Sequence, residues 1–170
     1  MKISLFKSAG LILLALFVST SSFGQKTIAS PRDSLSGKVA KANVTINYGS
    51  PSVKGRKIWG DLVPYSKVWR AGANEATTFT LDKALMVEGK SLPAGTYGFF
   101  VIPGEKEWII IFNKTPKQWG AYEYKEKQDA LRITVKSNKS SVMNERLIYK
   151  ITPNGIVLAW ENLEVPVNMK

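Results

Sequence analysis

The segment EWIIIFN, Glu107–Asn113, places five apolar residues in succession between two polar ones. Successive side chains of a β-strand point to opposite faces of its sheet, so a run that is apolar at every position has to be covered on both faces. Ile and aromatic residues also favour strands over helices. The segment therefore predicts a central strand of a sheet with a packed layer on each side.

Shorter segments around this run alternate between apolar and polar residues, which is typical of strands with one buried face. They are NVTINY (43–48), TTFTL (77–81) and LRITVKS (131–137). The segment ALMVEGKSLPAGTYGFFVIPG (84–104) predicts two strands around a turn marked by Pro93 and Gly95.

Three further strands are predicted towards the C-terminus, in ERLIYKI (145–151), GIVLAWE (155–161) and LEVPVNM (163–169). The sequence TPNG (152–155) indicates a tight turn between the first two, and Pro166 favours an edge position for the last. A helical period is hard to find, the best candidate being a turn or two within residues 121–130. We therefore expect an all-β fold, an antiparallel β-sandwich or jelly roll, with a closed barrel as the alternative.

The first 24 residues have the pattern of a secretory signal peptide. Lys2 and Lys7 precede an apolar run over residues 9–18, and Ser22 and Gly24 stand before Gln25 as small residues of a cleavage site. The run is too short for a stable membrane span, although an uncleaved N-terminal anchor is an alternative. We expect an exported protein, periplasmic or secreted, with a polar leading arm over residues 25–42, which could include one early strand, and a β-domain over residues 43–170.

The composition limits the chemistry available to the protein. The chain has neither histidine nor cysteine, which removes the commonest general base, the thiol nucleophile and the usual ligands of zinc and copper. A protein exported without cysteine fits a bacterial envelope, and no disulfide can hold its fold together. We expect no metal and no cofactor. An enzyme is disfavoured, and the alternative that remains is a hydrolase with a carboxylate pair, for which Glu75 and Asp61 are candidates.

The net charge of +11 suits an anionic partner such as a lipid head group, an acidic glycan or a nucleic acid. The lysines are scattered along the chain without a block of five or six, which favours a solvated basic surface. We therefore predict no nucleic-acid partner.

The segment VWRAGANEATTF (68–79) is the strongest candidate for a binding site. Arg56 and Arg70 lie near glycines that permit unusual backbone dihedrals, and a guanidinium held in this way can bind a carboxylate or phosphate through two parallel hydrogen bonds. Asn74 and Glu75 would supply further hydrogen bonds. In a purely structural alternative, Arg70 and Glu75 pair under the loop and Asn74 satisfies free backbone groups.

The five tryptophans divide into two groups by their context. Trp59 and Trp119 each precede a glycine in loop-like sequence, where a ring could stack on a sugar or cap the core. Trp108 and Trp160 alternate with core residues, which predicts burial. Trp69 adjoins Arg70 and is a candidate for the apolar wall of a site.

Several motifs together resemble one bacterial family. The motifs KGR (54–56), WRAGANEAT (69–77), LPAGTY (92–97) and WGAY (119–122) are similar to those of the family called domain of unknown function 2911, from about residue 30 to near the C-terminus. The resemblance implies an exported protein and brings no established activity.

These observations lead to one principal hypothesis and two alternatives. We expect non-catalytic binding of a small or glycan-like anionic ligand by a site with these six residues: Arg56, Trp69, Arg70, Asn74, Glu75 and Trp119. The alternatives are the carboxylate hydrolase and a structural or interaction module of the cell envelope that pairs through an exposed sheet edge.

Overall fold

The computed structural model describes residues 29–170, so the predicted signal peptide lies outside the described residues. The described chain is all-β, as the sequence predicts, with one 3₁₀ turn at Glu126–Gln128. Its ten strands are β1 (Arg32–Val39), β2 (Ala42–Gly49), β3 (Thr77–Leu81), β4 (Leu85–Val87), β5 (Lys90–Leu92), β6 (Gly95–Ile102), β7 (Glu107–Asn113), β8 (Asp129–Lys136), β9 (Asn138–Thr152) and β10 (Gly155–Asn168).

Six of the strands form one antiparallel sheet in the order β1-β2-β3-β6-β7-β8. Strand β7, the apolar EWIIIFN run, lies between β6 and β8 and pairs with both. The sheet ends at β1 and β8 and does not close into a barrel.

A long antiparallel hairpin of β9 and β10 covers one face of this sheet and makes the second layer of a sandwich. The predicted turn at TPNG joins the two strands, whose first pair is Thr152 with Gly155. The core between the layers is rich in aromatic rings, and it includes Trp108 and Phe112 from β7 and Tyr149 and Trp160 from the hairpin.

The opposite face of β7 is covered by loops. Ile111 and Phe100 are buried there with Ala76, and the partly buried Val68 and Tyr124 pack against them. The prediction that β7 is covered on both faces is therefore confirmed.

Two parts of the strand assignment are wrong. Residues 84–104 contain three strands instead of two, because Glu88 and Gly89 both adopt positive φ (46° and 79°) and form a tight turn between β4 and β5. The two C-terminal segments form the single strand β10, which continues through register shifts on either side of Glu161. A bulge bends a strand without ending it. The break in alternation near Glu161 therefore looked, in the sequence, like a loop between two strands.

The structure has a strand within the predicted leading arm and a 3₁₀ turn within the predicted helical region. Strand β1 falls within residues 25–42 and pairs along its whole length with β2. The candidate helical region at residues 121–130 contains the 3₁₀ turn. Within residues 29–170, no helix has the length and apolar character needed to cross a membrane.

Candidate functional site

The candidate site is formed by the long connection between β2 and β3, residues 50–76. Trp69 anchors this connection to β6 by two backbone hydrogen bonds with Val101, of 2.8 and 2.9 Å. Near its end, at Ala73, the connection packs against Gly49, the last residue of β2. A Cβ atom on Gly49 would lie 2.1 Å from the carbonyl oxygen of Ala73, so only glycine permits this approach.

Buried hydroxyl groups hold the next part of the loop. The carbonyl oxygen of Ala71 accepts hydrogen bonds from the hydroxyls of Thr77 (3.1 Å) and Tyr149 (2.8 Å). Tyr149 is fully buried on β9, so the loop is bonded to both layers of the sandwich. These contacts make the loop a fixed part of the fold.

Asn74 holds the loop through an unusual backbone conformation and through hydrogen bonds of its side chain and backbone. Its φ of 64° lies in the left-handed region, which asparagine adopts more easily than most residues. Its side-chain amide donates to the carbonyl oxygen of Ser30 at 3.2 Å, and its own carbonyl accepts from the Gly120 amide at 3.0 Å. The structural alternative is right on this point, since the Asn74 side chain does satisfy a backbone group.

A cavity of about 250 Å³ lies beneath this loop. Four of the six predicted site residues line it, and the wall is completed by residues that include Ser30 and Trp160. The four are Arg56, Trp69, Arg70 and Asn74.

Arg70 provides the unusual electrostatics of the cavity. Its Nε atom is buried and has no hydrogen-bond partner among the described residues. Burial lowers the pKa of Arg70 from its ordinary value, and the phenol of Tyr122 acts weakly in the opposite direction. Arg70 as a whole is only partly buried, so its guanidinium keeps part of its contact with solvent, while the unpaired Nε donor costs free energy.

Arg56 has a different environment, because its side chain folds back on its own loop. Its Nε donates to the carbonyl oxygen of Val53 at 3.0 Å, and an η-nitrogen donates to that of Ser52. Arg56 therefore brings positive charge to the cavity while part of its hydrogen-bonding capacity supports the loop.

Glu75 does not pair with Arg70, so this part of the structural alternative is wrong. Its carboxylate forms an exposed ion pair with Arg32 of β1 (3.4 Å), and it lines a separate cavity of about 200 Å³ together with Gln118. The Arg32–Glu75 pair connects residues 43 positions apart, which local spacing could not indicate.

Asp61, the other candidate for a carboxylate pair, is exposed and lines neither of these cavities. The structure therefore does not bring Asp61 and Glu75 to a common cleft.

The tryptophans near glycine have opposite environments. Trp59 is only 7% exposed and packs edge-on against Trp69, Trp108 and Trp160, with centroid distances of 6.0, 4.9 and 5.7 Å. Trp119 is 58% exposed and does not line the cavity of about 250 Å³, although its backbone bridges to that of Glu75. Trp108 and Trp160 are buried as predicted.

Trp160 is the lining residue that the sequence pattern did not select. It stacks on Trp69 with a centroid distance of 5.8 Å and an interplanar angle of 18°. Its place in an alternating strand indicated only a core residue. The register of β10 shifts between Ala159 and Glu161, at the position of this residue.

The geometry defines a class of protein: an antiparallel β-sandwich domain with a small, arginine-lined cavity along the connection between β2 and β3. The chain belongs to the family described as "Protein of unknown function (DUF2911)", whose model matches residues 30–169. Comparison with curated proteins and with solved structures gives no match.

Proposed function

We propose that this protein binds a small anionic ligand without transforming it, and that Arg70 is the principal ligand-binding residue. The observation that carries the proposal is the position of Arg70 in the wall of a cavity, as a partly buried arginine with no ion pair among the described residues. Arginine can present parallel N–H groups to a carboxylate or phosphate, and a partly desolvated guanidinium is stabilised by such a partner.

The size of the cavity limits the ligand. A volume of about 250 Å³ is smaller than the range of about 300–1,000 Å³ typical of sites for drug-sized molecules. The proposed ligand is therefore a small organic acid, an inorganic oxyanion or one acidic sugar residue. The partly buried ring of Trp69 supplies an apolar wall for a sugar or a hydrocarbon chain.

We also propose that binding takes place outside the cytoplasm, because the signal-like sequence of residues 1–24 predicts export. Cleavage before Gln25 would keep Ser30, whose carbonyl group bonds Asn74, in the mature protein. Mass spectrometry of the protein recovered from the periplasm tests this proposal, with an N-terminus near Gln25 as the expected result.

The hydrolase alternative gains no support, because its two candidate carboxylates line no common cavity. The interaction-module alternative also has no specific observation in its favour.

The test of the main proposal is calorimetric titration of the mature protein with sodium acetate, sulfate, phosphate and galacturonate at low ionic strength. Arg70→Gln removes the charge and keeps a polar side chain of similar length. We expect it to weaken binding by at least about tenfold, the effect of losing a charge-assisted hydrogen bond.

Arg32→Gln is the matched control, because it removes the same charge from an arginine that is exposed and does not line the cavity of Arg70. We expect its affinity to stay within about twofold of the wild type, since an exposed charge contributes little. Absence of binding by the wild-type protein to all four anions, or equal losses in both variants, would refute the proposal.

A further inference from the structure

The cavity of Arg70 is small and in contact with solvent. Among the residues that line it, Arg56 and Leu62 are exposed, so this part of the wall meets the surrounding water. The volume of about 250 Å³ limits the contents of the cavity to roughly one sugar residue. Any further residue of a sugar chain has to lie on the protein surface outside the cavity.

Two exposed aromatic rings occur together in the turn formed by residues 119–122, which we call the aromatic turn. Trp119 is 58% exposed and Tyr122 is 87% exposed. The other aromatic side chains of residues 29–170 are buried or partly buried. Rings as exposed as these contribute little to a core, and their occurrence in one short turn indicates a contact with another molecule.

A hydrogen bond connects the aromatic turn to the cavity wall. The Gly120 amide donates to the carbonyl oxygen of Asn74, a lining residue of the cavity, at 3.0 Å. A Cβ atom on Gly120 would lie 3.0 Å from the ring of Tyr122, so this ring lies directly against the residue that is bonded to the wall. Burial lowers the pKa of Arg70 and the Tyr122 phenol raises it, which places the two side chains within electrostatic range of each other. The exposed ring of Tyr122 is therefore close to the cavity.

The surroundings of the aromatic turn favour a sugar chain over a protein as the partner. Lys117, Glu123 and Lys125 are exposed on either side of it. The central part of a protein interface is depleted of charged residues. A sugar ring packs the C–H groups of one face on an aromatic ring, while its hydroxyls bond with polar groups and water. Arg56 and Arg70 in the cavity wall favour a chain with negative charge.

We propose that the ligand is an acidic oligosaccharide, with the carboxylate of one sugar bound at Arg70 and the following sugars stacked on the rings of Tyr122 and Trp119. This inference rests on the proposed function and deepens it, because it names the class of ligand and adds the aromatic turn to the binding site. A chain should therefore bind more tightly than a single acidic sugar.

The first test compares trigalacturonate with galacturonate by calorimetric titration of the mature protein. We expect trigalacturonate to bind at least about tenfold more tightly, the gain from its additional aromatic contacts. The acetylated and amidated peptide triglutamate is the control ligand, because it has as many carboxylates and no sugar ring. We expect it to bind at least about fivefold more weakly than trigalacturonate.

The second test removes the ring of Tyr122. We expect Tyr122→Ala to weaken the binding of trigalacturonate by about fivefold and to leave that of galacturonate within about twofold of the wild type. Tyr122→Phe keeps the ring and should bind both ligands as the wild type does. Because the side chain is so exposed, neither change should unfold the protein. Met143→Ala is the matched control, since Met143 is also exposed and apolar but lies on β9 and does not line the cavity. Its affinity for both ligands should be unchanged.

Trp119 provides a measurement on the unaltered protein. It is exposed and the other four tryptophans are buried or partly buried, so acrylamide quenches its fluorescence most easily. We expect saturating trigalacturonate to protect Trp119 from the quencher, and saturating galacturonate to leave the quenching unchanged. Unchanged quenching in the complex with trigalacturonate would contradict stacking on the aromatic turn.

The outcomes separate the two proposals. Binding of galacturonate that depends on Arg70, together with no gain for trigalacturonate or no loss in Tyr122→Ala, overturns this inference and leaves the proposed function intact. Triglutamate that binds as tightly as trigalacturonate also overturns it, and indicates either a charge effect or a protein partner. Failure of the wild-type protein to bind trigalacturonate and every smaller anion overturns both proposals.

Discussion

Gly49→Ala should destabilise the fold and disturb the cavity together. The new Cβ would lie 2.1 Å from the carbonyl oxygen of Ala73, whereas real Cβ contacts are not shorter than 3.0 Å. The two backbones must therefore separate by about 0.9 Å or more. Neither can move freely, because the Gly49 carbonyl accepts from the Ala73 amide at 3.2 Å and Gly49 is also paired with Arg32 in β1.

The expected cost follows from this geometry. Overpacking in a well-packed region typically costs about 1–3 kcal/mol, and a contact between two backbones belongs at the upper end. A loss of about 3 kcal/mol lowers Tm by roughly 6–12 °C for a domain of this size. The assay is thermal and urea unfolding followed by circular dichroism, with titration of the anion that the wild-type protein binds as a second readout, because Ala73 lines the cavity.

Gly37→Ala is the control. The atoms nearest to its Cβ would belong to the side chain of Ile151, at 3.2 Å, and a small rotation of that side chain relieves the contact. We expect a loss below about 1 kcal/mol and unchanged ligand affinity. A Gly49→Ala variant that melts with the wild type, or a Gly37→Ala variant that loses as much stability, would show that the close approach is not what holds the loop.

Two other predictions concern Tyr48 and Asn74. Burial and a hydrogen bond to Asp33 raise the pKa of Tyr48 to about 12, so the folded protein keeps a proton that the unfolded chain loses above about pH 10. The free energy of unfolding, measured by urea titration, should thus fall between pH 10 and pH 12. The fall should be smaller for Tyr48→Phe, and an equal dependence on pH in the two proteins would contradict this prediction. Asn74→Ala should destabilise the protein by about 1 kcal/mol more than Asn74→Gly, because alanine is less stable than glycine at a positive φ. The midpoints of urea unfolding measure this difference. Equal losses of stability in the two variants would argue against backbone strain at this position.

Local patterns were sufficient for most strands. The unbroken apolar run of β7 and the strict alternation in β8 follow directly from the two-residue period of a strand, so the all-β fold was predictable. The turn at TPNG was predictable from its residue types. The merging of two segments into β10 was not, because a bulge has no strong sequence signature.

The candidate site was predictable in part. Glycines and arginines in the connection between β2 and β3 indicated the region, and Arg56, Trp69, Arg70 and Asn74 do line one cavity. The partner of Glu75 was not predictable, because Arg32 reaches it only through the pairing of β1 with β2. Trp59 and Trp119 have similar local sequence and opposite exposure, so only packing distinguishes them.

The sequence by itself determined most of the strands, the segment that contains the candidate site, and the absence of imidazole and thiol groups, because these depend on residue type and short-range periodicity. The tertiary structure decided which charges pair, which indole rings are buried, and that Trp160 of β10 joins Arg70 at one cavity. Such contacts join residues that are distant in the chain, and only the packing of the two layers brings them together.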